Sequence, residues 1–386
     1  MHQFRFDVRD LFKSPRLGLS LQRMWIQFLG LFVGMLGYII FTYVSLLSAG
    51  ISLEISWRKY GLLPCLFGES APWYSFIIYF LGAAWLVVLY LVTATAVSRA
   101  SYMLVKGNNF YTWREAFSFA KKKVVSVVLT PVALAILIGL FLLGGAIVGW
   151  LADLIPYVGE FGLTILTPIW FIAALVTVFL VLVVVVSAFQ TPAIIATTDD
   201  DAFEAVFQSF SLLWSQPWRL ILYAVISGAL ALAAFFILAL LSKQAFILMD
   251  RLFANTMGDD FINISAHGMY LLSVWVMHSI GWVQSVFSDF SGLIYFSREF
   301  DPLPLPGYMV VVSHIFSVWI LLIGGFIASY GVATLNIGNT ISYLILRKKK
   351  DDENLLDRKD REEEEDEEEQ DNAPSDTETE PEKSAE

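Results

Sequence analysis

Charge is what this sequence has least of. Only 16% of its 386 residues are Asp, Glu, Lys or Arg, against about 25% in an ordinary soluble domain. Cysteine is nearly absent as well. A single Cys65 excludes an intramolecular disulfide and any zinc site built from thiolates, and a lone cysteine among apolar neighbours reads as a small buried residue. The four histidines, His2, His267, His278 and His314, are scattered, with no His-Glu-x-x-His or Cys/His spacing. A Walker loop, a strand-borne dinucleotide turn and a Gly-x-Ser-x-Gly elbow are missing too. No catalytic, cofactor-binding or metal-binding residue is therefore assigned, and the expectation is a protein that is not an enzyme and needs no cofactor. Residues 1–24 contain no short apolar core ending at a small-residue cleavage site, so no removable signal peptide is expected.

What the sequence does have is long apolar runs. Hydrophobic residues make up 57% of the chain. Six stretches contain no Asp, Glu, Lys or Arg: Trp25–Leu47, Tyr74–Val97, Val124–Leu151, Phe161–Phe189, Leu220–Leu241 and Tyr308–Tyr330. Each meets the roughly 20 residues that a helix needs to cross a bilayer. The expected fold is all-α: a polytopic membrane bundle of about six transmembrane helices over 25–346, with short cytoplasmic amphipathic helices, an N-terminal amphipathic segment 1–24 and an extracytoplasmic loop 243–307. Within that loop, Met269–Phe287 carries His278, Gln284 and scattered aromatics, which fits an interfacial or re-entrant helix better than a seventh span.

Basic residues set the orientation. Sixteen lie on the side holding both ends: Arg5, Arg9, Lys13, Arg16 and Arg23, then Arg99, Lys106, Arg114 and Lys121 to Lys123, then Arg219, then Arg347 to Lys350. Five lie on the other: Arg58, Lys59, Lys243, Arg251 and Arg298. Both termini are thus expected in the cytoplasm. From Asp351 onward 19 acidic residues face 4 basic ones, so the overall charge of −11 belongs to the end of the chain and not to the body. Residues 347–386 read as a disordered acidic cytoplasmic tail, too poor in apolar groups to offset its ordering entropy. The expected partners are the lipid bilayer and a protein that engages the tail, with no nucleic acid.

Two segments repeat at an offset of 89 residues. Thr112-Trp113-Arg114-Glu115-Ala116 and Asp201-Ala202-Phe203-Glu204-Ala205 both place Glu three positions after an N-cap residue, the capping-box pattern. Each lies between two spans, so the repeating unit is span, surface helix, span. Phe4 to Met24 and Ala333 to Leu346 are candidates for a third copy formed by the two ends of the chain. Small residues four apart, Gly30/Gly34, Gly145/Gly149 and Ala224/Gly228, are candidates for close helix contact. His314 is the one histidine inside a span and reads as a packing residue. Asp199, Asp200, Asp201 and Glu204 have the composition of a divalent-cation site, but helix capping explains them more simply.

The stretch Thr191-Pro192-Ala193-Ile194-Ile195-Ala196, followed by Glu204-Ala205, Ser209-Phe210-Ser211-Leu212-Leu213 and Trp218, resembles uncharacterised bacterial multi-pass proteins. Those proteins are related to the membrane domain of glycerophosphodiester phosphodiesterases. The resemblance covers Ser98 to Phe236 and implies a helical fold in a bacterial inner membrane. No phosphodiesterase domain is attached, and no catalytic residue is carried over. The function this supports is that of a non-enzymatic scaffold or accessory protein, with a transporter or channel for a lipid or apolar solute as the alternative.

Overall fold

The computed structural model describes residues 4–155, 157–277 and 305–358, and these are α-helical with short connections. Two short helices, α1 (Val8–Leu11) and α2 (Ser14–Gly18), lead into α3 (Leu21–Ser48). Then come α4 (Leu53–Tyr60), α5 (Trp73–Lys106), α6 (Trp113–Lys122), α7 (Val124–Asp153), α8 (Val158–Ile165) and α9 (Thr167–Thr198). The remainder is α10 (Ala202–Ser215), α11 (Pro217–Met257), α12 (Asp259–Met277) and α13 (Gly307–Asp351). Six of these, α3, α5, α7, α9, α11 and α13, are long and apolar enough to span a membrane. The protein is a multi-pass helical membrane protein. Residues 278–304, and the tail from 359, lie outside the described residues.

Several helices outrun their apolar cores. At 1.5 Å per residue, the 45 residues of α13 cover roughly 68 Å, about twice the hydrocarbon thickness. Side-chain contacts fix how the helices sit alongside each other. Asn336 Nδ2 donates to Gln27 Oε1 at 2.9 Å, and Tyr90 OH donates to Asn336 Oδ1 at 3.3 Å, so Gln27, Tyr90 and Asn336 share one level. Tyr74 opens the second apolar run and precedes Tyr90 by the same interval as Ile320 precedes Asn336. The part of α13 beside the second run therefore starts near Ile320, roughly three turns after the apolar run at Tyr308 begins. Asn336 and Asn339 are 3% and 4% exposed and bonded across helix contacts.

The packed core sits at the end of the bundle that holds both termini. It is formed by α5 beyond Leu91, α9 beyond Leu180 and α13 beyond Tyr330, closed by α6, α10 and the N-terminal helices. Ala333 to Leu346 is not a separate surface helix. It continues α13, and Ile337, Ile341, Tyr343, Ile345 and Leu346 are buried at 0–1% exposure. An amphipathic pattern marks one buried face, and here neighbours on all sides bury the other one too. The N-terminal helices dock on α13: Tyr330 OH donates to the Pro15 carbonyl at 3.0 Å, and Gly18 faces Thr334. Helix α13 is thus followed in space by α1, α2 and α3, as the idea of a third unit requires, with α1 and α2 in place of a connecting helix.

The glycine pairs divide. Gly30 packs on α5, where an added Cβ would come 2.2 Å from Thr93 Cγ2. Gly145, Gly149 and Gly228 have open space within 4 Å of a Cβ, so the pairs in α7 and α11 make no close helix contact. Between Leu134 and Leu180 no described residue is buried, and the α7–α9 hairpin stands clear of the bundle at its far end.

At that opposite end, Leu46, Tyr60, Cys65, Leu66 and Tyr79 form a small cluster, with Cys65 buried as expected. The described part of Met269–Phe287 belongs to α12. Met269 and Leu272 pack on Ile320, and the Trp275 carbonyl accepts from Leu62 N at 2.8 Å.

Candidate interfacial site

The polar residues of the protein converge where α5, α6, α9, α10 and α13 meet. Arg99, on the last turns of α5, is fully buried. Its Nη1 donates to the Ala196 carbonyl at 3.1 Å, and its guanidinium lies 4.3 Å from the Phe119 ring centroid on α6. Ala196 belongs to the final turn of α9, whose unpaired carbonyls carry the negative end of the helix dipole. A second cation completes this cap. Asp199 ends α9 in a left-handed conformation at φ 58°, and Lys123 Nζ bonds both its carboxylate and its carbonyl. Two cations from the first span–helix–span unit thus hold the helix end of the second.

The repeated capping sequences behave differently. Thr112 and Glu115 form a full capping box, with Glu115 N to Thr112 Oγ1 at 3.3 Å and Thr112 N to Glu115 Oε2 at 2.7 Å. Asp201 makes no such side-chain cap, because Glu204 accepts from Gln208 Nε2 instead. Gln208 in turn accepts from Arg347 Nη1 at 2.6 Å, drawing the start of α10 onto α13. The acidic cluster is thereby dispersed: Asp199 serves Lys123 and Glu204 serves Gln208. Burial, its largest influence, pushes the Asp200 carboxyl above its ordinary value. No group of three or more metal-ligating side chains occurs among the described residues.

The root of the acidic tail is part of this site. Arg347 pairs with Asp351 and Glu353 at 2.9 Å each. The chain turns back at Asp352 (φ 55°), and Leu355 enters the core at 1% exposure while its carbonyl accepts from Tyr102 OH at 2.8 Å. Residues 347–358 thus pack on the body of the protein. Sequence reading misses this because two adjacent leucines amid acids give no periodic signal.

The two connecting helices present unlike outer faces. On α6 the exposed residues are Trp113 at its first position, at 39%, and then Arg114, Glu115, Ser118, Lys121 and Lys122. On α10 the exposed residues are Phe203, Phe207, Phe210 and Trp214, at 83, 59, 38 and 73%, with Ser215 at the helix end. Ala205 and Ser209, on the opposite side of α10, are buried. A pocket at this end, lined by Phe4, Lys13, Arg16, Leu17 and Val105, encloses about 70 Å³. That is well below the 300 Å³ or more typical of a small-molecule site.

At the far end, His314 lies beside His267. Their ring centroids are 6.5 Å apart, Trp275 lies 5.9 Å from His314, and His314 Nδ1 is 2.7 Å from the Val310 carbonyl oxygen. His278 and His2 lie outside the described residues. No protein-family model, curated protein or solved structure matches the chain.

Proposed function

We propose that this chain is a non-enzymatic scaffold or accessory protein of a bacterial inner membrane, with both termini in the cytoplasm. One observation carries the reading. The most extensively packed part of the molecule is a crown at the basic end, where extensions of α5, α9 and α13 close on Arg99 and both ends of the chain are fastened. Its buried cations cap helices and join units, which is structural work. The basic residues clustered at that end favour the cytoplasmic side. The root fastened at Leu355 ties the chain leading into the acidic sequence to the crown, and that sequence recruits a basic protein partner.

The experiment is affinity purification from native membranes of the full chain and of a chain ending at Arg358. A protein retained by the first and lost from the second supports recruitment. Identical co-purifying sets rule it out. The clear space beside the α7–α9 hairpin favours a second reading, lateral passage of a lipid or apolar solute. Its test is flux of a fluorescent phospholipid across vesicles containing the protein, and an unchanged rate excludes it.

A further inference from the structure

Helix α10 turns an aromatic stripe outward, flanked on one side by Glu204, Ser211 and Ser215. At 100° per residue, Phe203, Phe207, Phe210 and Trp214 fall within roughly 60° of one another along a single stripe. The opposite side, Ala205, Gln208, Ser209, Leu212 and Leu213, is buried against the crown. A solvated surface helix shows the reverse arrangement, apolar inward and charged outward, and α6 follows it with Arg114 and Lys121 exposed. The α10 stripe contains no charged residue. Four large rings facing water would forfeit about 25 cal/mol for every Å² of apolar surface left exposed.

The neighbours of the stripe indicate what covers it. Phe179 of α9 packs edge-on against Phe210 at 5.2 Å and against Trp214 at 5.6 Å. Phe179 lies within the most apolar of the six spans, mean hydropathy 3.2, whose neighbours Val178, Val181 and Leu182 are exposed to the surroundings of the bundle. The stripe is therefore continuous with a face that hydrocarbon already covers.

We propose that α10 lies in the plane of the bilayer, its aromatic stripe inserted at the boundary between headgroups and acyl chains of the leaflet on the side of the termini. The partner of this face is phospholipid. The two connecting helices are thus specialised, α6 for water and α10 for lipid, and only one of the two units grips the leaflet from within. The inference rests on the membrane-spanning reading of α7 and α9.

The test is site-directed spin labelling of the full chain in phosphatidylglycerol/phosphatidylcholine vesicles, in a Cys65→Ala background. Labels are placed through Phe207→Cys, Ser118→Cys and Leu142→Cys, with collision rates to oxygen and to a water-soluble nickel chelate as readout. Leu142, exposed midway along α7, reports the spanning reading by itself: an oxygen-dominated label there upholds it and a nickel-dominated one refutes it. Given the former, the label at Phe207 should show an oxygen-to-nickel ratio several-fold above that at Ser118. A ratio equal to that at Ser118, or shielding from both reagents by protein, overturns the proposal. Phe203→Cys, at the most exposed ring, provides an independent site if the Phe207 variant misfolds.

Discussion

Lys123 Nζ lies 2.7 Å from the Asp199 carboxylate and 2.8 Å from the Asp199 carbonyl oxygen, so one side chain ties the start of α7 to the end of α9. Asp199 is 7% exposed. Removing one member of a buried pair leaves the other charge desolvated, at a cost of about 3 kcal/mol or more. Lys123→Ala and Asp199→Ala are each expected to destabilise the protein by that order. The double variant should lose less than the sum, because neither charge is then stranded. Unfolding in mixed detergent micelles measures all three. Strict additivity would mean that the pair does not couple the two units.

Glycines that look equivalent in sequence should respond oppositely to a methyl group. Gly30→Ala drives its Cβ into Thr93, and overpacking of this kind costs about 1–3 kcal/mol. Gly145→Ala meets nothing within 4 Å and should stay within about 0.5 kcal/mol of the parent. Equal effects at the two sites would contradict the separation of the α7–α9 hairpin from the bundle.

Leu355 makes the crown dependent on residues that composition assigns to the tail. Leu355→Ala should cost about 2–5 kcal/mol, the range for emptying a packed leucine site. Tyr102→Phe, which removes the bond to the Leu355 carbonyl, should cost about 1 kcal/mol. Hydrogen exchange at residues 353–356 should accelerate in both variants. Unchanged protection would show that the root is not docked.

On the far surface, Glu69 accepts from Lys59 and from Tyr60 OH. The bond from Lys59, then that from Tyr60, holds the Glu69 carboxyl below its ordinary value. The bond to Glu69 raises the Lys59 ammonium. A depressed carboxyl contributes stability above its unfolded pKa and loses it as pH falls through the folded one. A raised ammonium contributes below its unfolded pKa and loses it as pH climbs through the folded one. Protection of the 59–69 segment should therefore be flat at neutral pH and fall at both extremes. Glu69→Gln should abolish the acid limb, as amide exchange against pH will show.

The spans were legible because uncharged runs longer than a bilayer leave little choice of structure. The boundary between helix and membrane was not, since a helix continues wherever its backbone remains paired, whatever its side chains. This is how α5 reaches Lys106, α9 reaches Thr198 and α13 reaches Asp351. Asn336 and Gln27 are individually polar and jointly satisfied, a fact that no single position carries. The capping box at Thr112 could be read from local sequence, whereas the one at Asp201 failed because Gln208, bonded to Arg347 on a distant helix, claimed Glu204. Among candidate residues, Arg99 counted only as one cation of a loop. Its burial on Phe119 depends on α6 folding back over α5, which periodicity does not encode.

The most direct test is the sidedness of two positions. Periplasm-dependent alkaline phosphatase and cytoplasm-dependent fluorescent protein are fused after residue 255, near the end of α11, and after residue 350, near the end of α13. A chain with both termini inside gives phosphatase activity without fluorescence at 255, and fluorescence without phosphatase activity at 350. The same signal at both positions, or the reversed pair, would contradict it.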